Sequence, residues 1–137
     1  MKILRLTMHN FGIYAGTNTI DFSNDKPVIL IGGLNGRGKT TLLEAVLLVL
    51  YGKRSFAFAE SKIAFPRYIA GLVNTTDQSH RAWIKIDFKL PSDNDYTTYT
   101  VRREWSTRSV VSTMNTSVEK DGQPDQLLSE NWDVFME

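Results

Sequence analysis

A glycine-rich segment between two apolar stretches constrains the fold of this chain more than any other feature. The segment reads Gly33-Leu34-Asn35-Gly36-Arg37-Gly38-Lys39-Thr40 and follows a short apolar, β-branched run at residues 28–31. Beyond it, leucines and valines repeat at helical spacing from residue 42 to residue 50. A buried strand, a tight turn and a largely apolar helix in this order predict an α/β fold with a mixed central sheet around the segment.

The residue types in this segment predict that it binds a polyphosphate. Its glycines let successive backbone N–H groups converge on one point without side chains in the way. A helix that begins at about Lys39 adds the positive end of its dipole. The segment matches the phosphate-binding loop pattern at each required position. The residues expected to bind ATP are Gly33, Asn35, Gly36, Arg37, Gly38, Lys39, Thr40 and Thr41.

The polar side chains of the segment indicate which cofactors it takes. We expect the Lys39 ammonium to reach the β and γ phosphates and the Thr40 hydroxyl to coordinate Mg²⁺, so ATP and Mg²⁺ are the predicted cofactors. A glycine-rich turn without a ligand would explain the glycines but not Lys39 and Thr40. Arg37 either lies over the phosphates or is solvated beside the loop. GTP is disfavoured, because the sequence has no Asn-Lys-x-Asp run of the kind that reads guanine.

Composition excludes several other classes of protein. The chain has 137 residues, 42% of them hydrophobic, which suits one domain with one core. Its net charge of +1 excludes a polybasic or acidic tail, and the absence of cysteine excludes disulfides and thiolate sites. The longest apolar run, residues 42–51, contains Glu44 and is about half the length that crosses a bilayer. We therefore expect a soluble, cytoplasmic protein with no membrane partner.

The rest of the chain predicts mostly β structure with a few helical segments. Alternating and β-branched patterns indicate strands at residues 2–7, 17–22, 82–90, 96–105 and 116–120. The helix after the glycine-rich segment is apolar on almost every side, so we expect it to be buried, and Gly52 is positioned to end it. Ser129 is expected to cap a last helix that begins near Glu130.

Two stretches of the sequence carry a resemblance to a known family. The pattern Gly-x-Asn-Gly-x-Gly-Lys-Thr-Thr-Leu-Leu-Glu-Ala, preceded by the dipeptide Asn10-Phe11, resembles the N-terminal half-head of SMC-like and RecF-like DNA ATPases. Four short segments look most like DndD, the ATPase of DNA phosphorothioation systems. These segments are residues 10–14, 19–23, 29–33 and 50–54. The similarity covers roughly the first 54 residues.

This resemblance implies an α/β P-loop NTPase of the ABC/SMC-head type, with a mixed central sheet and an antiparallel β layer. Residues 1–137 are then the N-terminal lobe of an ATPase head, ending before a coiled coil and a C-terminal lobe. The catalytic glutamate, the signature segment and the glutamine-bearing loop are expected beyond Glu137. We therefore expect no catalytic residue in this chain, which binds ATP without hydrolysing it, whereas the full-length protein is an ATPase that forms a head-to-head dimer.

The same resemblance implies DNA and other subunits of a sulfur-modification complex as partners. Arg102, Arg103 and Arg108, near Trp105, could contact a DNA backbone, or they could form a solvated hairpin edge. The family also places its first strand pair beside the base of the nucleotide. This makes Arg5, His9 and Tyr14 candidate neighbours of the adenine or ribose, although Tyr14 could equally be a packed turn residue.

Two alternative functions remain open at this stage. One is an ATPase of an SbcC-like or RecF-like repair or recombination complex, which has the same loop but works with a nuclease or a loading factor. The other is an interaction domain in which the loop serves only to dimerise or to dock a partner. The sequence beyond Glu137 and the neighbouring genes would separate these functions.

Overall fold

The computed structural model describes residues 1–22, 36–76, 78–108 and 113–136, with the backbone alone for residues 36–40. A 3₁₀ turn at Gly52–Arg54 follows the longest helix. The strands are β1 (Lys2–Phe11), β2 (Tyr14–Asp21), β3 (Arg81–Ser92), β4 (Asp95–Ser106), β5 (Asn115–Lys120) and β6 (Gln123–Pro124). The helices are α1 (Gly36–Tyr51), α2 (Phe56–Ser61), α3 (Phe65–Ala70) and α4 (Gln126–Phe135).

The strands form one antiparallel sheet with the order β2-β1-β3-β4-β5-β6. This is the predicted antiparallel β layer, and the hairpin of β3 and β4 is its longest pairing, with Ile86 opposite Val101. The strand predicted at residues 28–31, on which the expected mixed central sheet depends, lies outside the described residues. The structure therefore confirms the antiparallel layer and leaves the central sheet a prediction.

The two faces of the sheet differ sharply in polarity. Successive side chains of a strand point to opposite faces, so alternating sequences bury one face and leave the other to solvent. The inner face carries Leu6, Met8, Ile84, Ile86, Val101 and Val118, all buried. The outer face carries Thr7 of β1, Lys85 of β3, Arg102 of β4 and Ser117 of β5. Each of these residues lies directly opposite the next on the neighbouring strand.

Helix α1 lies against the inner face of this sheet. Its buried side chains include Leu42, Ala45, Leu48 and Val49, at helical spacing along one side. Leu43 is 60% exposed, so the expectation that this helix is buried on almost every side is not met in this structure. The helix begins at Gly36, three residues earlier than predicted from the sequence, and it ends at Tyr51.

The end of α1 is the one that the sequence predicts. Gly52 follows the helix with a φ of +56°, in the left-handed region that only glycine adopts without strain. The side-chain surroundings of Gly52 add a second reason for glycine there, because a Cβ built on it would lie 2.9 Å from Arg103 Nη1.

The start of α4 differs from the one predicted. The helix begins at Gln126, and its cap is Asp125, whose carboxylate accepts a hydrogen bond from the Leu128 N–H at 2.9 Å. Ser129 lies inside the helix, so the prediction that it caps a helix starting near Glu130 was wrong. Its hydroxyl donates to Asp125 O at 2.8 Å and accepts from the Val118 N–H at 2.7 Å, which ties α4 to β5.

Across the ranges that the structure describes, no helix combines the length and the apolar character needed to cross a bilayer.

Candidate functional site

The predicted phosphate-binding residues lie at the start of α1 or just before it. Gly33 and Asn35 lie outside the described residues, whereas residues 36–40 form the first turn of the helix and Thr41 follows them. The first four N–H groups of an α-helix have no partner within the helix, and the helix dipole places partial positive charge there. The backbone from Gly36 to Lys39 is therefore suited to bind an anion.

The turn between β1 and β2 packs directly on this end of α1. Gly12 has a φ of +59°, and a Cβ built on it would lie 2.5 Å from Thr41 Cγ2. Any larger residue at position 12 would therefore be strained in its backbone and would push against the helix. This role was not predicted from the sequence, although the glycine follows directly after the Asn10-Phe11 dipeptide.

Asn10 holds this turn in place from a fully buried position. Its backbone has a φ of +51°, and its residue has no exposed surface. Its side-chain oxygen accepts from the Gly16 N–H at 2.8 Å, and its amide nitrogen donates to Arg81 O at 3.3 Å. Its carbonyl oxygen accepts from the Asn74 N–H at 2.7 Å. Asn10 therefore joins the β1–β2 turn to the segment that precedes β3.

A second set of contacts fixes the same turn to the segment after α3. The Gly12 N–H donates to Leu72 O at 2.6 Å, and the Asn74 side chain donates to Gly12 O at 2.9 Å. Phe11 is fully buried and meets Trp105 edge to face, with ring centroids 6.1 Å apart. The surface of the β1–β2 turn that meets α1 is thus supported on two sides.

The middle of α1 is linked to α3 by a tyrosine and a glutamate. The Tyr68 hydroxyl donates to Glu44 Oε2 at 3.4 Å, and the Tyr68 ring is buried beside Phe58 and Phe65. Burial, and then the nearby Glu44 carboxylate, raise the pKa of Tyr68 above its ordinary value of 10.0. Tyr68 therefore keeps its phenol proton, and with it the hydrogen bond to Glu44, at alkaline pH values where an exposed tyrosine ionises.

The far end of α1 is bound to a buried arginine. Arg103 is 3% exposed, and its Nε donates to Val49 O at 2.8 Å. Its two terminal nitrogens donate to Thr116 Oγ1 at 2.9 Å and to Asp133 Oδ1 at 2.7 Å. Each of the three guanidinium nitrogens donates to a group of the protein and the residue is buried, so Arg103 is not available to a DNA backbone in this structure.

The three arginines predicted to contact DNA are not brought together. Strand alternation places Arg103 and Trp105 on the inner face, where Trp105 is 1% exposed, and Arg102 on the outer face. Arg108 is exposed beyond the end of β4, where it donates to Gln78 O at 3.2 Å. The patch described from the sequence is therefore split between two faces, and only Arg102 and Arg108 face solvent.

Arg102 belongs to a stacked group on the outer face instead. Its guanidinium lies 4.7 Å from the centre of the Trp83 ring, and the His9 ring stacks on Trp83 with centroids 5.5 Å apart. The Glu104 carboxylate forms ion pairs with Arg102 at 3.4 Å and with Arg81 at 3.6 Å. This group contains one aromatic, one histidine and two arginines, with one carboxylate between the arginines.

The candidate neighbours of the nucleotide base are also separated. Arg5 and His9 lie on the outer face, since they pair with Asp87 and Trp83 of β3, whereas α1 packs on the inner face. Tyr14 lies opposite Phe11 in the turn that carries Gly12, and burial raises the pKa of its phenol. Of the three, only Tyr14 therefore lies beside the turn that contacts the start of α1.

Within the described part of the chain, no three His, Asp or Glu side chains come together in the manner of a metal site. The predicted Mg²⁺ ligand, Thr40, has no described side chain. The expectation of Mg²⁺ therefore still depends on the sequence pattern.

Comparison with known proteins identifies the family of the chain. A family model described as an AAA domain matches residues 5–133, which is nearly the whole sequence. The chain therefore belongs to this family of ATPase domains.

Two curated relatives narrow the class further. The chain is 51% identical over 53 residues to the SbcC subunit of the nuclease SbcCD from Treponema pallidum strain Nichols. It is 42% identical over 55 residues to the SbcC subunit of the same nuclease from Vibrio cholerae serotype O1. Each match covers 39% of this chain but only 5% of the relative. Together with the family, these relatives indicate an SMC-like ATPase head.

Proposed function

We propose that this chain is the N-terminal, ATP-binding half of an SbcC-like ATPase head that acts on DNA together with a nuclease subunit. The observation that carries the proposal is the start of α1 inside the glycine-rich segment, at Gly36. The AAA domain match and the two SbcC relatives support the same assignment. Since the chain matches only a small part of those relatives, the activity and the partners of the whole protein are part of the proposal.

The residues at the start of α1 suit the binding of a triphosphate. The N–H groups of the first helical turn, which have no partner within the helix, supply donors, and glycine at positions 36 and 38 adds no side chain that could block them. Lys39 adds a full positive charge for the terminal phosphates, and Thr40 would hold the magnesium ion. Bound Mg²⁺ neutralises charge on the phosphate oxygens.

The chain is proposed to bind ATP without turning it over. Hydrolysis needs a residue that orients the attacking water, and the phosphate-binding loop does not provide one. We assign that residue to the remainder of the head, together with the head-to-head dimer that would bring two nucleotide sites into contact. Steady hydrolysis by the purified chain above a Lys39→Ala control would contradict this division of roles.

The SbcC-like assignment has more support than the DNA phosphorothioation assignment. Both relatives are SbcC subunits, whereas the similarity to DndD consists of four short segments in the first 54 residues. Phosphorothioation remains the second candidate, and the gene neighbourhood separates the two. A nuclease gene beside this one favours the first candidate, and cysteine-desulfurase or sulfur-transfer genes favour the second.

A nucleotide titration tests the proposal. The affinity of the chain for Mg²⁺-ATP would be compared with that of Lys39→Ala, which should bind at least about 100-fold more weakly, because a charge-assisted contact with the phosphates is lost. Lys53→Ala is the matched control, since Lys53 is an exposed lysine in the 3₁₀ turn that follows the opposite end of α1. Equal affinity of the wild type and Lys39→Ala would contradict the proposed function.

A further inference from the structure

A buried arginine connects the far end of α1 to three other parts of the molecule. Arg103 projects from β4 and donates to the Val49 carbonyl of α1, to Thr116 of β5 and to Asp133 of α4. Its donor–acceptor distances are 2.8, 2.9 and 2.7 Å, within the usual range of charge-assisted hydrogen bonds. A planar guanidinium with three acceptors in fixed positions allows little freedom to any of them.

The surroundings of Arg103 strengthen this connection. The Trp132 indole N–H of α4 donates to Leu50 O at 3.0 Å, so two consecutive carbonyls at the end of α1 accept bonds from other elements. A positive charge at this end of a helix is favourable, because the helix dipole is negative there. Gly52 has no side chain to separate Arg103 from the helix end.

Helix α1 joins its far end to the proposed nucleotide site. It has 16 residues and is therefore about 24 Å long, and its backbone hydrogen bonds link each turn to the next. Its first turns rest on Gly12 through Thr41, and its last turn is held by Arg103 and Trp132. A shift at the last turn would therefore tilt α1 about the Gly12 contact and displace the N–H groups at its start.

There is room for such a shift beside the arginine. A cavity of roughly 500 Å³ lies between the 3₁₀ turn after α1, the start of α3, the start of β5 and the end of α4, and its lining includes Phe65, Arg103 and Asp133. Half of the Asp133 side chain faces solvent, at 47% exposure, whereas that of Arg103 is 4% exposed. The part of the connection that can open is therefore the contact of Arg103 with α4.

We propose that Arg103 is a positioning residue for the nucleotide site and that it couples the docking of α4 to nucleotide affinity. The proposal rests on the proposed function, because it assumes that the start of α1 binds a nucleotide. Thermodynamic linkage makes the effect reciprocal: nucleotide binding strengthens the docking of α4 to the same extent that a docked α4 strengthens nucleotide binding.

The test uses variants on the exposed side of the connection, because replacing Arg103 itself could prevent folding. Asp133→Ala removes the acceptor on α4, and Asp133→Asn keeps an acceptor oxygen in nearly the same position. Glu130→Ala is the matched control, since it removes a carboxylate from the same helix that accepts a hydrogen bond from Gln126, one turn away. For each variant, the affinity for Mg²⁺-ATP and the hydrogen exchange of the α4 amides with and without Mg²⁺-ATP are measured.

In the wild type, we expect the nucleotide to slow exchange of the α4 amides. Asp133→Ala should lose this slowing and bind Mg²⁺-ATP about fivefold more weakly, the lower end of typical coupling between sites. Asp133→Asn should retain most of both effects, and Glu130→Ala should behave as the wild type. A merely structural role for Arg103 would not make exchange in α4 depend on the nucleotide.

Two results would overturn the inference while leaving the proposed function intact. One is a wild-type chain that binds Mg²⁺-ATP without any change in α4 exchange, and the other is wild-type affinity in Asp133→Ala. A wild-type chain that fails to bind would instead overturn the proposed function, and the inference with it. If Asp133→Ala does not fold, Thr116→Val removes another acceptor of Arg103 and should weaken binding in the same way.

Discussion

Gly12 and Thr41 are in contact, with so little space between them that a Cβ built on Gly12 would lie 2.5 Å from Thr41 Cγ2. This contact joins the turn of the first hairpin to the helix whose first turn carries several of the residues predicted to bind phosphate. It explains why a glycine follows the Asn10-Phe11 dipeptide, and it makes the hairpin part of the architecture of the proposed nucleotide site.

Replacing Gly12 by alanine should therefore destabilise the protein more than the same change at another left-handed glycine. Gly16 is the matched control, because its φ is +68° but nothing lies within 4 Å of a Cβ built on it. We expect Gly16→Ala to cost about 1 kcal/mol from backbone strain and Gly12→Ala about 1–3 kcal/mol more from the clash. Urea unfolding of both variants measures the difference, and equal losses would contradict the role of the Thr41 contact.

Removing the Asn10 side chain should loosen the whole β1–β2 turn. Asn10→Ala leaves the Gly16 N–H and the Arg81 carbonyl without their partner, and an alanine at φ +51° is more strained than an asparagine. The free energy of unfolding should fall by about 2–4 kcal/mol. Asn18→Ala removes a single solvent-exposed hydrogen bond, to Ala15 O, and should cost less than about 1 kcal/mol. Similar losses in the two variants would show that Asn10 does not hold the turn.

If the chain binds DNA through its outer face, Arg102 and Arg108 should contribute and the contribution should depend on salt. Each of Arg102→Ala and Arg108→Ala should reduce the slope of log affinity against log salt by about one, because each removes one phosphate contact. Arg67→Ala, at an exposed arginine on α3, is the control. Fluorescence anisotropy with a duplex at several salt concentrations gives the slopes. An unchanged slope in both variants would exclude these arginines from a DNA interface.

Tyr68 should make the stability of the protein fall at alkaline pH. Because the pKa of Tyr68 is raised in the folded state, the unfolded chain loses its phenol proton first as the pH rises through 10.0, and the folded state is penalised from there upward. Tyr68→Phe should lose about 1 kcal/mol at neutral pH, for the bond to Glu44, and should show a weaker alkaline decline than the wild type. Tyr14→Phe controls for the second tyrosine with a raised pKa. Parallel alkaline declines in the wild type and Tyr68→Phe would contradict this interpretation.

Particular residues show what the sequence could and could not predict. The β3–β4 hairpin was predictable because its alternation is regular and its turn residues are distinctive, and the same holds for the end of α1 at Gly52. The burial of Arg103 was also predictable in principle, because every second residue of a strand faces the same side and Arg103 lies between the apolar residues Val101 and Trp105 on one face. It was predicted to lie at the surface because an arginine is rarely buried unless its charge is paired, and its partner Asp133 is 30 residues away.

The contacts that organise the site depend on tertiary structure and leave little trace in the sequence. The meeting of Gly12 with Thr41 and the bonds of Asn10 to residues more than 60 positions away are examples. The cap of α4 is a different case, because Asp125 and Ser129 are both good capping residues in the same short stretch. The packing of α4 on β5 decides between them, because the Ser129 hydroxyl accepts a hydrogen bond from the Val118 N–H and Asp125 is left as the cap.

The most direct test of the central claim follows the backbone amides of a ¹⁵N-labelled chain by NMR as Mg²⁺-ATP is added. We predict that the largest shifts occur at the amides of residues 33–41, with smaller changes in the turn that carries Gly12. Binding that leaves those amides unchanged and shifts residues of the outer sheet face instead would contradict the claim that the start of α1 binds the phosphates.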